Sequence, residues 1–159
     1  MATAERSDLR VRAERLLGRA TGPALRISLG VVFVWFGVLK VVGDSPVAEL
    51  IKATLPWVDQ GFLVPALGWV EIVLGVAVLV GRPAKLALIA VAAHLVGTFL
   101  VFVQAPSMVL SDGNPLLLNG NGEFVLKNLV LVCAALVLFT QAGQATGTDW
   151  ANRKKPSGS

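Results

Sequence analysis

The sequence has few charged residues and a single cysteine. Only 15% of its 159 residues are Asp, Glu, Lys or Arg, whereas soluble domains carry about 25%. The lone Cys133 excludes an intramolecular disulfide framework and a dithiol redox motif. The sequence also lacks a zinc-type cysteine and histidine spacing, a P-loop and a Rossmann glycine fingerprint. An electron carrier would therefore have to come from a ligand or a partner.

Hydrophobic residues make up 55% of the chain, and the mean hydropathy is +0.71. They gather in four segments, each near the length of about 20 residues that crosses a bilayer. Helices are expected there, because backbone polar groups cannot stay unpaired in lipid. We predict an all-α integral membrane four-helix bundle, a single domain over residues 24–141 with spans near residues 25–42, 63–81, 84–103 and 123–141.

Two shorter helices are predicted at the membrane surface. Residues 4–20 alternate arginines with apolar residues at helical spacing, which is typical of an amphipathic interfacial helix. Residues 1–23 are therefore assigned to a cytoplasmic amphipathic segment. In the first outer loop, Ser45 followed by Pro46 indicates a helix start, and an apolar face then continues as far as Pro56.

The remaining connections are predicted to be irregular. Residues 111–115 and 119–122 are rich in Asn, Asp, Gly and Pro, which favour turns. The fourth helix is expected to begin at Glu123, where a carboxylate suits the positive end of the helix dipole. Residues 142–159 are assigned to a polar cytoplasmic tail with a disordered end.

The basic residues indicate an orientation. Most of the 14 Lys and Arg residues lie before the first span, between the second and third, or in the tail. The positive-inside rule then places both termini in the cytoplasm of an inner (plasma) membrane protein. The same distribution explains the net charge of +4, so this charge does not indicate nucleic acid binding. The expected partners are the bilayer and other membrane proteins.

Five polar residues within the predicted spans form the candidate ligand-binding site. A charge in a span costs about 2.5–3.5 kcal/mol unless it pairs, faces the bundle interior or reaches the interface. At about 1.5 Å per residue, the two lysines and the glutamate lie in the outer half of the membrane, and the histidine lies deeper. The five residues are Lys40, Glu71, His94, Lys127 and Asn128.

Small residues share the helix faces of these polar side chains. Gly68, Glu71 and Gly75 recur at i, i+3 and i+7, and Lys40 follows Gly37 on its own helix face. Such stripes let neighbouring helices approach closely. The pattern predicts that every ionisable residue of the site, Lys127 included, lies on the packing face of its helix.

Several interpretations of this site stay open. Two ammonium groups and one carboxylate would leave a positive pocket that favours an anion or a quinone carbonyl. Against that, Lys40 and Lys127 could extend to the membrane surface, or Glu71 could form a structural ion pair with either lysine. His94 is more often a hydrogen-bonded packing residue than a ligand. No catalytic set, metal site or intrinsic cofactor is predicted, so the chain is not expected to be an enzyme on its own.

Three motifs occur in the order found in the DoxX-like membrane protein family. They are LRISLG at residues 25–30 leading into VWFGVLK at 34–40, then GWVEIVLG at 68–75 and GEFVLKNL at 122–129. The chain resembles this family, particularly its YkgB-like group. The resemblance implies a four-helix bundle and an association with redox systems. Relatives include a subunit linked to thiosulfate:quinone oxidation and proteins of oxidative-stress defence, so a quinone is the ligand that the resemblance implies.

The sequence therefore supports two alternative hypotheses for the function. The first is a redox-associated subunit that binds a quinone or a small anion in an outer-leaflet polar pocket. The alternative is a non-catalytic accessory or assembly subunit of a larger respiratory membrane complex. A small-solute transporter is disfavoured, because the sequence shows neither interrupted spans nor an internal repeat.

Overall fold

A computed structural model describes residues 2–82 and 84–153, with side chains for residues 12, 14–82 and 84–143. Helices dominate the described residues, which confirms the predicted all-α bundle. The elements are α1 (Ala2–Val42), α2 (Ala48–Thr54), α3 (Gln60–Val80), α4 (Ala84–Thr98), α5 (Val101–Gln104), a 3-10 turn (Pro106–Met108), β1 (Leu110–Ser111), β2 (Asn114–Leu118) and α6 (Gly120–Arg153).

Four helical segments are long and apolar enough to cross a membrane. Their outward faces carry many exposed large apolar side chains, the surface that a lipid environment requires. We call the bundle end with the start of α1 and the close of α6 the terminal end, and the end with α2, α5 and the strands the loop end. The segments are Glu14–Val42, Gln60–Val80, Ala84–Gln104 and Gly120–Gly143.

The bundle is assembled from two helix pairs. α1 packs most extensively on α3, and α4 packs on α6, with far less contact between the pairs. The α1–α3 crossing depends on glycines: a Cβ added to Gly37 would lie 2.6 Å from the Gly68 carbonyl oxygen, and one added to Gly68 would lie 2.7 Å from the Gly37 oxygen. Gly30 and Gly75 form a second such contact. The predicted small-residue stripes are confirmed as the surfaces where the two backbones meet.

Two apolar clusters lie at different heights in the bundle. The larger cluster joins all four spanning helices and consists of Leu29, Phe33, Val78, Ala87, Leu88, Val91, Leu95, Ala135 and Leu138. The smaller cluster closes the loop end and consists of Leu50, Val101, Ala105, Val109 and Val125. Since Leu50 belongs to α2, the short helix is part of the packed bundle.

The helix boundaries differ from the predictions in three places. The amphipathic segment is helical but continues through Pro23 into α1, without a break. α2 begins at Ala48. The residues before it form a turn, in which the Ser45 carbonyl oxygen accepts from the Ala48 amide and the Ser45 hydroxyl oxygen accepts from the Val47 amide. The third predicted span divides into α4 and the short α5.

The fourth helix also starts earlier and runs longer than predicted. Asn119 caps it, because its Oδ1 accepts from the amides of Asn121 at 3.0 Å and Gly122 at 3.1 Å. The described part of the predicted tail continues α6 to Arg153. The disorder predicted for the end of the tail falls on residues 154–159, which lie outside the described residues.

A short hairpin replaces the first of the two predicted turns. β1 and β2 pair antiparallel around Asp112 and Gly113, whose φ values are 53° and 70°. Positive φ at both central residues is typical of the type I′ turn that closes two-residue hairpins. The Asp-Gly sequence therefore closes a hairpin, where the residue composition alone predicted a turn.

An arginine joins the two helices of the first pair at the terminal end. Arg26 of α1 donates from Nε to the Val78 carbonyl at 2.8 Å and from Nη2 to the Leu79 carbonyl at 2.7 Å. These carbonyls lie in the last turn of α3, where the helix has no further backbone N–H groups to donate to them. Arg26 thus caps α3 from a neighbouring helix.

Replacing Arg26 with methionine is expected to lower the stability of the bundle by about 2 kcal/mol, the scale of hydrogen bonds from a charged group. Methionine keeps an unbranched apolar stem but removes both donors. The thermal unfolding midpoint in detergent measures the effect. Arg19→Met is the matched control, because Arg19 is exposed on the same helix. Equal midpoints for the two variants would refute the capping role.

Candidate functional site

A buried ion pair lies at the α1–α3 crossing. Lys40 Nζ is 2.6 Å from Glu71 Oε2, and the two residues are only 5% and 8% exposed. The crossing makes the pair possible, because a Cβ on Gly68 would lie 2.8 Å from Lys40 Cβ. The Lys40 ammonium also lies 5.8 Å from the centre of the Phe36 ring, a favourable position for a cation.

His94 of α4 joins this pair. Its Nε2 is 2.8 Å from Glu71 Oε1, so the two carboxylate oxygens hold partners on two different helices. The Phe33 ring meets the imidazole edge-on at 5.8 Å. From the sequence, His94 is predicted to lie deeper in the membrane than the other charges. In the structure it contacts Glu71 directly, so the Glu71 carboxylate forms a polar link between the two helix pairs.

A second polar contact joins α4 and α6. Asn128 Nδ2 donates to Thr98 Oγ1 at 2.9 Å, and Thr98 Oγ1 donates to the Leu95 carbonyl at 2.6 Å. Both side chains are half-buried and neutral. Asn128 is therefore positioned by its own helix pair and does not contact the ion pair.

Lys127 does not occupy the position predicted for it. Its side chain is exposed, so the prediction that it lies on the packing face of α6 is wrong. The physical reason is helical spacing: Asn128 faces α4 through Thr98, and because neighbouring residues of a helix point about 100° apart, Lys127 points elsewhere. Across the described residues, no carboxylate forms an ion pair with Lys127; the basic partners in ion pairs are Lys40, Lys52 and His94.

A cavity of about 690 Å³ lies between the two helix pairs, towards the loop end. Its wall is mostly apolar and contains residues from α1 to α6. All five predicted site residues contribute to it: Lys40, Glu71, His94, Lys127 and Asn128. An apolar cavity with a few converging polar groups is typical of a small-molecule site.

The way this cavity is closed could not be predicted from the sequence. α2 covers its loop end with Leu50 and Ile51, and the rings of Phe36 and Phe124 meet at 5.5 Å between α1 and α6. The apolar face of α2 was visible in the sequence. Its packing partner was not, because an apolar face is equally compatible with a lipid surface.

The cavity wall carries groups that can bind a ligand. Within the described residues, no group of three His, Cys, Asp or Glu side chains is arranged to hold a metal ion. Cys133 is exposed on α6 and is absent from the cavity wall. The polar groups on the wall can donate hydrogen bonds to an oxygen atom, and the apolar surface can pack against a ring or a hydrocarbon chain.

Comparison with known proteins gave one informative match. The family model described as DoxX matches residues 23–104, just over half of the chain. The match contains Lys40, Glu71 and His94, whereas Lys127 and Asn128 lie beyond it. The comparisons with curated proteins and with solved structures gave no significant match.

Proposed function

The chain belongs to the DoxX family of membrane proteins, and from that premise we propose that it is a redox-associated membrane subunit that binds a quinone in the cavity between its helix pairs. The observation that carries the proposal is the cavity of about 690 Å³, apolar over most of its wall and supplied with a few hydrogen-bond donors. The redox association rests on the family resemblance. The quinone is also what the resemblance implies, and the apolar wall with its few donors supports it.

The distribution of charge favours a quinone over a small anion. Glu71 already neutralises Lys40, so the pocket lacks the surplus of buried positive charge that an anion would need. A neutral ring with carbonyl oxygens needs only donors and apolar contact. Lys127 is the donor expected to reach a carbonyl, because this residue lines the cavity and its ammonium has no carboxylate partner among the described residues.

The cellular setting is proposed from the same features. Basic residues are concentrated at the terminal end, so both termini are assigned to the cytoplasm of a plasma (inner) membrane protein, with the cavity in the outer leaflet. Membrane proteins of a respiratory chain are the proposed partners, since the sequence contains no dithiol redox motif or Rossmann fingerprint. The YkgB-like group within the family stays a prediction.

Quinone binding is expected to be measurable on the purified protein. A benzoquinone with a decyl tail should bind the protein in detergent, and Lys127→Met should weaken its affinity about tenfold, the equivalent of one hydrogen bond of about 1.4 kcal/mol. Equilibrium dialysis over a range of quinone concentrations gives the affinity. Mass spectrometry of solvent extracts detects any quinone that co-purifies.

Lys52→Met is the matched control for this experiment. Lys52 lies on α2, is exposed and pairs with Glu49 at 2.6 Å, outside the cavity wall. It should bind the quinone as the parent protein does. Absence of quinone from the extract together with no binding of the added quinone would refute the proposed function.

The alternative is a non-catalytic accessory or assembly subunit of a larger membrane complex. One observation favours it: Lys40, Glu71 and His94 satisfy one another inside the chain, as a purely structural network would. Isolation in a mild detergent, followed by mass spectrometry of the bound proteins, tests this candidate. Recovery of the chain without any partner would count against it.

A further inference from the structure

The cavity reaches the outside of the bundle between the two helix pairs. Because α1 packs on α3 and α4 on α6, the cavity is bounded on two sides by the looser α1–α6 and α3–α4 contacts. The α3–α4 side is bridged by the hydrogen bond between Glu71 and His94. Between residues 14–42 of α1 and 120–141 of α6, the described side chains form no hydrogen bond or ion pair with one another.

α1 and α6 meet near their two ends. Towards the loop end, the Phe36 and Phe124 rings are in edge contact at 5.5 Å. At the terminal end, Gly22 packs against Gln141, where an added Cβ would lie 2.7 Å from the Gln141 Oε1 atom. The cavity is lined between these contacts by Val32 of α1 and by Lys127 and Val130 of α6.

Two of these lining residues are also on the protein surface. Val130 is 70% exposed, and Lys127 is exposed. A side chain that lines a cavity and is mostly exposed lies at the opening of that cavity. By this criterion the cavity opens at Lys127 and Val130, in the spanning part of α6, and also at Gly97 and Leu100, which line it and are exposed. The α6 opening is the one where a lysine, Lys127, supplies a hydrogen-bond donor, and it faces the lipid.

We propose that a lipid-tailed quinone enters sideways through this α1–α6 opening and leaves its isoprenoid-type tail there, against Val32 and Val130, when its ring occupies the cavity. The inference rests on the proposed function and identifies the class of quinone: one with a long hydrocarbon tail. The loop end is covered by apolar side chains of α2 such as Leu50, which disfavours access for a polar, water-soluble compound.

The position of Lys127 fits such a ligand. Val130 is about one helical turn further from the loop end than Lys127, so the tail would run towards the bilayer centre while the ammonium stays near the ring. The long apolar stem of lysine can line the opening beside the tail. The same residue then contributes a donor to the ring and apolar surface to the opening.

Two probes that differ only in the tail test the proposal. A benzoquinone with a decyl tail and the same benzoquinone without it are titrated into the full chain in lipid nanodiscs. Val130→Trp, which fills the opening, should weaken binding of the tailed probe at least about tenfold and leave the tailless probe within about twofold of the parent. Val137→Trp is the matched control. Val137 is 45% exposed on the same helix and lies outside the cavity wall, so both probes should bind this variant normally.

The outcomes separate this inference from the proposed function. If the parent protein binds neither probe, the side opening and the proposed function are both wrong. If it binds both probes but Val130→Trp weakens them equally or not at all, the side opening is wrong and quinone binding stands. Photolabelling of the parent by a tailed probe with a diazirine at the end of its tail provides a test without substitution: labels on α1 and α6 support the proposal, and labels on α3 and α4 overturn it.

Discussion

Replacing Glu71 with alanine is expected to destabilise the bundle by about 3–5 kcal/mol, the range measured when one partner of a buried ion pair is removed. The variant leaves the Lys40 ammonium buried with only the Phe36 ring beside it, and it removes the hydrogen-bond partner of His94. Unfolding from mixed micelles with increasing denaturing detergent measures the loss. A variant as stable as the parent would show that the pair contributes nothing to folding.

A double variant distinguishes a structural role of the pair from a ligand-binding role. Lys40→Met combined with Glu71→Leu replaces both charges with apolar side chains, an exchange that is often neutral or stabilising for buried pairs. We expect most of the lost stability to return. If the double variant is stable and has lost quinone binding, the charges serve the ligand. If it is stable and binds the quinone normally, the pair has only a structural role, which is to stabilise the packing of α1 against α3.

The second large effect is expected at the glycine crossing. Gly68→Ala should destabilise the protein by about 1–3 kcal/mol or more, the usual cost of overpacking. The new Cβ would lie 2.7 Å from the Gly37 carbonyl oxygen, and a backbone atom cannot move aside as a side chain can. The helices would have to separate, which would also lengthen the Lys40–Glu71 contact.

Gly97→Ala provides the matched control for this prediction. Gly97 is in α4, and a Cβ there would meet nothing within 4 Å. Alanine is also the better helix former by about 1 kcal/mol, so this variant should be as stable as the parent or more stable. Thermal unfolding of the two variants side by side gives the comparison. Equal thermal unfolding midpoints for Gly68→Ala and Gly97→Ala would contradict the close crossing.

The spanning helices were predictable because the membrane imposes a strong local rule. About 20 consecutive apolar residues are needed for each crossing, and the chain has four such segments. The same rule makes an ionisable residue within a span conspicuous, and all five predicted residues reach the wall of one cavity. Helix ends were less predictable, since Asn119 and Pro23 are compatible with both a turn and a continuing helix.

The partners within the site required the tertiary structure. From the sequence, Glu71 could pair with either lysine, and the choice depends on which helices cross closely. Gly37 and Gly68 bring α1 and α3 together, so Lys40 reaches the carboxylate. Lys127 belongs to the other helix pair and stays without a carboxylate partner among the described residues.

The sequence by itself therefore determined that this chain is a four-helix membrane protein with a small set of polar residues in its spans, because hydrophobicity and charge act residue by residue. Only the tertiary structure decided that Glu71 connects Lys40 to His94, that α2 closes the cavity, and that Lys127 is at an opening towards the lipid. These features depend on the rotation and the distance of helices that are far apart in the chain. Such quantities result from packing between helices and are not encoded in any one segment.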